Sequence, residues 1–374
     1  MQLLQRLGLS VIGILAWMGM LGPQCSLFAE ETDSLRLLRH IEWAMDYMDR
    51  NLPDEAIRQW DSAVTIDPTF TPYRYERTVC LAMAGRYQEA IDSLEPIYRD
   101  TMILDRGYQL LGNCYDYLED TVRSRDAYTE GLRACPTSGR LHYEMGARAF
   151  LQRNLPEALR WWVRGTRAEP KYATNYYWIC KGLAASSNKI WAVFYGELFM
   201  NLEPNSRRTK EISALLFETW NKAITLGHPD DPINFCSESL LEELSPHGPA
   251  TMNFPTAFEF TVATSAQHLI PQTGIKDRLT IRELIEIRMN FIRGWKASGY
   301  MELYPNDLLR WHDQLLSAGW LDEYLWWIYA FGAPDELAEH YRADAERYDT
   351  MLGYLSAKPG LDFTKPQCVG IGCE

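Results

Sequence analysis

Apolar and small residues recur along much of this chain at the spacing of one helix face. Tyr108, Leu111, Gly112 and Tyr115 stand at i, i+3, i+4 and i+7, and His142, Met145, Gly146 and Ala149 repeat the arrangement. Two nearly identical phrases, NLPDEAIRQW from Asn51 and NLPEALRWW from Asn154, set Ala56 and Ala158, Trp60 and Trp162, and Pro68 and Pro170 each 102 residues apart. That is three times 34, and the intermediate steps are filled by Ala90, Pro136, Ala192 and Pro204. One register runs through five copies, and a period of this length predicts stacked supersecondary units. Within a copy, Gly112 or Gly146 lets a second helix approach. Ala56, Ala90 or Ala158 answers from that helix, with Trp60, Tyr128 or Trp162 filling the space beside the contact. Pro68, Pro136 and Pro170 end the second helix, since proline has no N–H and disfavours helix in the residue before it. Asn51 and Gly85 share a register position between the helices, and both tolerate the left-handed conformation that ends a helix.

After Pro204 the register stops. An amphipathic helix is expected over 207–227 as a cap on the stack. Residues 228–275 read as a proline-broken connector with short helices, TAFEFTVATSAQHL among them. A helical region follows over 276–357, with Ile281, Leu284, Ile285, Ile287, Met289, Ile292 and Trp295 largely at helical spacing, and a tail over 358–374. That region is either a domain with its own core or degenerate repeats. The fold class is all-α: a helix-turn-helix solenoid over 30–206, a capping helix and a helical C-terminal region. Trp311, Trp320, Trp326 and Trp327 are expected between the last helices.

The residues in register resemble the tetratricopeptide repeat. The third copy reads Tyr108, Leu111-Gly112, Tyr115, Ser124, Tyr128, Gly131 and Pro136, and the fourth His142, Met145-Gly146, Ala149, Ala158, Trp162, Gly165 and Pro170. The first copy follows with His40, Trp43-Ala44, Tyr47, Ala56, Trp60, Ala63 and Pro68. The second is looser, with Met102 where proline would stand, and the fifth puts Gly196 and Phe199 at two usual core positions. The resemblance covers about residues 37–206. It implies a groove lined by the first helix of each pair, here Arg106, Gln109, Asn113, Asp116 and Tyr117 from copy three, Arg140 and Tyr143 from copy four, and Tyr177 and Lys181 from copy five. It implies a peptide or protein segment as the partner. The carboxylate clamp of some members is matched only by Asn113, so recognition of a C-terminal carboxylate is not expected.

A net charge of −13 over 374 residues argues against a general nucleic-acid binder, which needs clustered Lys and Arg. The first 29 residues have the layout of a secretory signal peptide: Arg6, an apolar run from Leu7 to about Leu21, and Ala29 as the cleavage residue. Gln24 before Cys25 does not suit lipidation. Export to a periplasm or out of the cell is therefore expected, with no membrane segment after cleavage. Cys80 and Cys114, 34 apart, fall on neighbouring helices too far apart to bond. Cys368 and Cys373 in CVGIGC either close a small disulfide loop in an oxidising space or are free thiols. No phosphate loop, nucleophile elbow or metal motif is present, so neither a cofactor nor a metal is expected. His312-Asp313 with Glu323, and His340 with Asp344, are the only drawable acid–base groups. The reading is a non-catalytic interaction scaffold. The alternative is an enzyme with its site in the C-terminal half.

Overall fold

The computed structural model describes residues 32–227, 233–236, 253–271, 275–276, 278–357 and 360–367. The leader-like segment 1–29, half of the connector, and Cys368 and Cys373 lie outside the described residues. Those residues form eighteen α-helices, one 3-10 turn and no strand, in two compact units that divide after Pro136.

In the first unit, α1 (Asp33–Asp49) pairs with α2 (Pro53–Ile66), α3 (Thr71–Met83) with α4 (Tyr87–Leu94), and α5 (Leu104–Tyr117) with α6 (Thr121–Ala134). The second unit continues with α7 (Gly139–Leu151) and α8 (Leu155–Ala168), then α9 (Ala173–Ala184) and α10 (Lys189–Leu202). The turn geometry repeats with the sequence. Asn51, Gly85, Glu119 and Arg153, successively 34 apart, have φ of 56°, 74°, 61° and 60°. In each turn the next residue's N–H closes back on the last helical turn: Leu52 to Tyr47, Arg86 to Leu81, Asp120 to Tyr115 and Asn154 to Ala149, at 2.8–2.9 Å. This is the Schellman closure of a helix end. The second helices also end alike. Asp67, Cys135, Glu169 and Glu203, each before a proline, are turned out of the helix at φ between −129° and −137°, as proline requires of its predecessor. Copy two lacks that proline, and its second helix stops early, at Leu94.

Small and large residues interlock as the spacing predicts. A Cβ on Gly112 would lie 2.2 Å from the Tyr128 ring, and one on Gly146 would lie 2.2 Å from Trp162 Nε1. Copy five inverts the arrangement. Its glycine is Gly196, on the second helix, and Cys180 on the first helix fills the space, 2.8 Å from where a Cβ would stand. Cys80 and Cys114 are free and buried, and burial pushes their thiols up to about 12 and about 11. Trp43 of the first copy is exposed.

The remaining helices belong to the second unit: α11 (Arg207–Ala223), α12 (Phe254–Ala266), α13 (Ile281–Ala297), α14 (Tyr300–Leu303), α15 (Asp307–Ala318), α16 (Leu321–Tyr329), α17 (Pro334–Ala343) and α18 (Ala345–Ala357). Asp344 separates the last two, turned out of the helix at φ −153°. In α10 the eleven residues Ile190–Met200 are all buried, as an all-round apolar helix must be. One core runs from Ala149 to Leu361 and joins copies four and five to the C-terminal helices. Helix α11 starts with a capping box at Ser206 and Thr209. It is covered on its far side too: Ser213 Oγ accepts the Phe331 N–H at 3.0 Å, and Gly332 lies against Phe217. Trp311 and Trp326 are buried, and Trp320 and Trp327 half-buried, against the same core.

Candidate functional site

The first-helix residues singled out from the sequence divide between the two units. In the first unit, Arg106 lies 5.1 Å over the Tyr75 ring and 3.7 Å from Glu76. Gln109 is half-buried. Asn113 and Asp116 are tied inward, since the buried Tyr128 hydroxyl lies 2.5 Å from Asn113 Oδ1 and 3.0 Å from Asp116 Oδ2. Tyr117 is 67% exposed and stacks on Tyr87 at 4.5 Å with the rings 2° from parallel.

The second unit gathers more. Trp178, half-buried on α9, is a hub: Tyr143, Phe150, Trp162 and Tyr177 all bring rings within 5.6–6.5 Å of it. Phe150 is 42% exposed and Leu151 82%, so the cluster has an open apolar edge. Beside it, Lys181 Nζ donates to Glu211 Oε1 at 2.6 Å and lies 3.1 Å from the Tyr177 hydroxyl, which donates to Glu211 Oε2 at 2.7 Å. This network raises Lys181, through its hydrogen bond to Glu211, and lowers Glu211. Lys181 also sits 5.4 Å over the Trp178 ring, and Arg208, paired with Glu203, lies over Tyr177. Arg140 covers the Tyr172 ring at 5.5 Å. Tyr143, Tyr177 and Lys181 are thus brought together. Trp178, Glu211 and Arg208 join them from outside the groove positions that the repeat marks. Trp178 stands next to Tyr177 in a run of aromatics, and Glu211 lies beyond the repeats in the helix expected to be a cap.

The drawable acid–base groups are rearranged. His312 does not meet Asp313, which pairs with Lys296 at 2.7 Å. Its Nε2 lies 3.1 Å from Glu197 Oε2, off the line of a hydrogen bond, and its Nδ1 lies 3.4 Å from Arg288. Arg288 donates to both Glu197 oxygens at 2.7 and 3.2 Å and to the Tyr329 hydroxyl at 2.7 Å. Glu197 and His312 are wholly buried and Arg288 is 3% exposed. Burial alone would raise Glu197, but Arg288 and His312 outweigh it and hold the carboxyl at about 2; burial pushes His312 down. Likewise His340 meets Glu323 at 2.8 Å, not Asp344, and stacks on Trp326 at 4.2 Å. Glu323 also accepts from Arg347. Both carboxylates are spent on structural partners. Among the described residues, no cluster of His, Cys, Asp and Glu suits a metal, and no helix is long and apolar enough to cross a membrane.

No family model matches this chain, and no curated protein sequence matches it. Among solved structures, MamA residues 41 to the end from Desulfovibrio magneticus RS-1 is similar, at 14% identity and a TM-score of 0.33, over 46% of this chain and 97% of that one. YrrB, described as a TPR protein with an unusual peptide-binding site, is similar at 19% identity and a TM-score of 0.29, over 46% of this chain and 89% of that one. The repeat architecture stands on this chain's own turns and helix pairs.

Proposed function

We propose that this protein is a non-catalytic scaffold that binds a polypeptide segment on the first-helix face of copies four and five. The observation that carries this reading is the open apolar edge of Phe150, with the exposed Leu151 next to it, on the Tyr143–Trp178 cluster beside the Lys181–Tyr177–Glu211 network. Trp and Tyr are among the residue types that most often carry binding energy at an interface. The segment presents an apolar or aromatic anchor to Phe150 and Trp178, and its backbone meets Lys181 and Glu211. The protein acts after export, in a periplasm or outside the cell. Arg6, the apolar run after it and Ala29 support that location.

A photo-crosslinking residue at Leu151 in the expressed full chain tests the site. The expected product is one crosslinked peptide, mapped by mass spectrometry, that disappears with Phe150→Ser and Lys181→Ala. A yield unchanged by both substitutions refutes the reading. Sequencing the N-terminus of the fractionated protein tests export, and a chain still beginning at Met1 would refute it.

A further inference from the structure

The geometry points to a second docking surface on the opposite side of the same two repeats, for a partner's acidic amphipathic helix. Ile179 and Leu183 follow Tyr177 and Lys181 by two residues, about 200° around α9, and so face away from the site above. There a cleft of about 390 Å³ opens between α8, α9 and the start of α10. Leu159, Val163 and Leu183 give it apolar walls, and every charged residue lining it is an arginine: Arg160, Arg164 and Arg167.

The three arginines are exposed and stand at i, i+4 and i+7 along α8. That makes a single row roughly 10 Å long. Arg160 holds Glu157 in its own helix, and Arg164 lies 5.1 Å over the Trp161 ring and helps to lower the Glu157 carboxyl after Arg160. The surroundings reinforce the sign. Residues 140–171 carry seven Lys and Arg against three Glu, within a chain of net charge −13. A row of separated guanidinium groups beside an apolar floor does not converge on one small anion. It matches a ligand that repeats its carboxylates at helical spacing beside leucines, which is helix-in-groove recognition with charge complementarity. This surface is independent of the first-helix face and stands whether or not that reading does.

The test is fluorescence anisotropy of the full chain with a labelled helical peptide, a few turns long, bearing a leucine stripe and a neighbouring glutamate stripe. A second peptide replaces each glutamate with lysine, and vesicles of anionic lipid form a third arm. The acidic peptide is expected to bind and to weaken as salt rises. Its affinity should fall about tenfold or more in the Arg160→Glu, Arg164→Glu, Arg167→Glu variant, with the thermal melt and the crosslink at Leu151 unchanged. Equal binding of both peptides, or equal binding by the wild type and the variant, overturns the proposal. So does binding of vesicles in place of peptide. Binding that appears only after residues 237–246 are deleted overturns it as well, and assigns the cleft to this chain's own acidic sequence SESLLEELSP.

Discussion

Removing Arg288 exposes how the second unit is held together. Its guanidinium makes two hydrogen bonds to Glu197 and one to Tyr329, and lies 4.8 Å over the Trp220 ring. In Arg288→Met the packing volume is largely kept, but a wholly buried carboxylate loses its counter-charge. Breaking one partner of a buried pair costs about 3–5 kcal/mol. The unit spans residues 137–374, a size at which each kcal/mol moves Tm by about 2–4 °C, so the melt should fall by about 10 °C. The pH dependence reverses as well. In the wild type the folded Glu197 is depressed from 4.5 to about 2. Its contribution is therefore present above 4.5 and lost as pH falls toward 2. In the variant only His312, itself held neutral by burial, is left to oppose the burial of Glu197, so Glu197 should rise above its ordinary value and stability should be lost as pH climbs through that raised value. Glu197→Leu with Arg288→Met removes both charges and should recover most of the loss. Thermal melts followed by circular dichroism at several pH values read all of this. A single variant that melts within about 2 °C of the wild type, with the same pH profile, refutes the assignment of Arg288 as the partner that makes burial of Glu197 tolerable.

The other expectations are simpler. Glu119 and Arg153 hold left-handed φ that costs a side-chain-bearing residue about 1–2 kcal/mol, so Glu119→Gly should stabilise by about 0.5–1 kcal/mol after the entropy of glycine is deducted; urea titration showing a loss would refute the strain. Gly146→Ala places a Cβ against Trp162, which is fully buried and donates to the Tyr143 carbonyl at 3.2 Å, so it should destabilise by about 1–3 kcal/mol and alter tryptophan fluorescence. His142 and His312 are both lowered from 6.5, mainly by burial. Their folded forms stay neutral while the unfolded chain takes up protons, so stability should decline as pH falls below 6.5. A urea midpoint flat between pH 7 and pH 5 would contradict that.

The sequence exposed whatever the repeat imposes periodically. Gly112 with Tyr128, Gly146 with Trp162 and the prolines after the second helices all follow from one spacing. So did the turn at Asn51 and Gly85, and the same step of 34 leads to Glu119 and Arg153, which propensity alone would not choose because neither favours positive φ. What stayed hidden is long-range and aperiodic. Glu197 and Arg288 are 91 residues apart, yet each carries a local sign. Glu197 is the lone charge in IWAVFYGELFM, and Arg288 falls on the stripe Ile281, Leu284, Ile285, Phe291, Ile292 and Trp295, where a core residue is due. A charge at a core position demands a partner, and the two demands answer each other. The first-helix face was legible as positions but not as chemistry. Asn113 and Asp116 spend their oxygens on Tyr128, while Trp178 becomes the hub because rings from α7, α8 and α9 converge on it.

The burial of α10 separates the uses of copies four and five. A repeat normally leaves one side for the next copy. In copy five α11 takes that place, and the C-terminal helices close over α10, with Arg288 neutralising the one acid that the apolar run Ile190–Met200 contains. The stack cannot be extended past such a helix without uncovering Glu197. The last two pairs share one core with the C-terminal helices, and on the two proposals above recognition falls to two surfaces of α7–α9: the apolar edge at Phe150, and the arginine row of α8 with its apolar cleft. Rigid supports let exposed side chains bind without first being ordered, which lowers the cost of association. On this argument, loosening the base with Arg288→Met should weaken capture at Leu151 even though Arg288 touches neither surface.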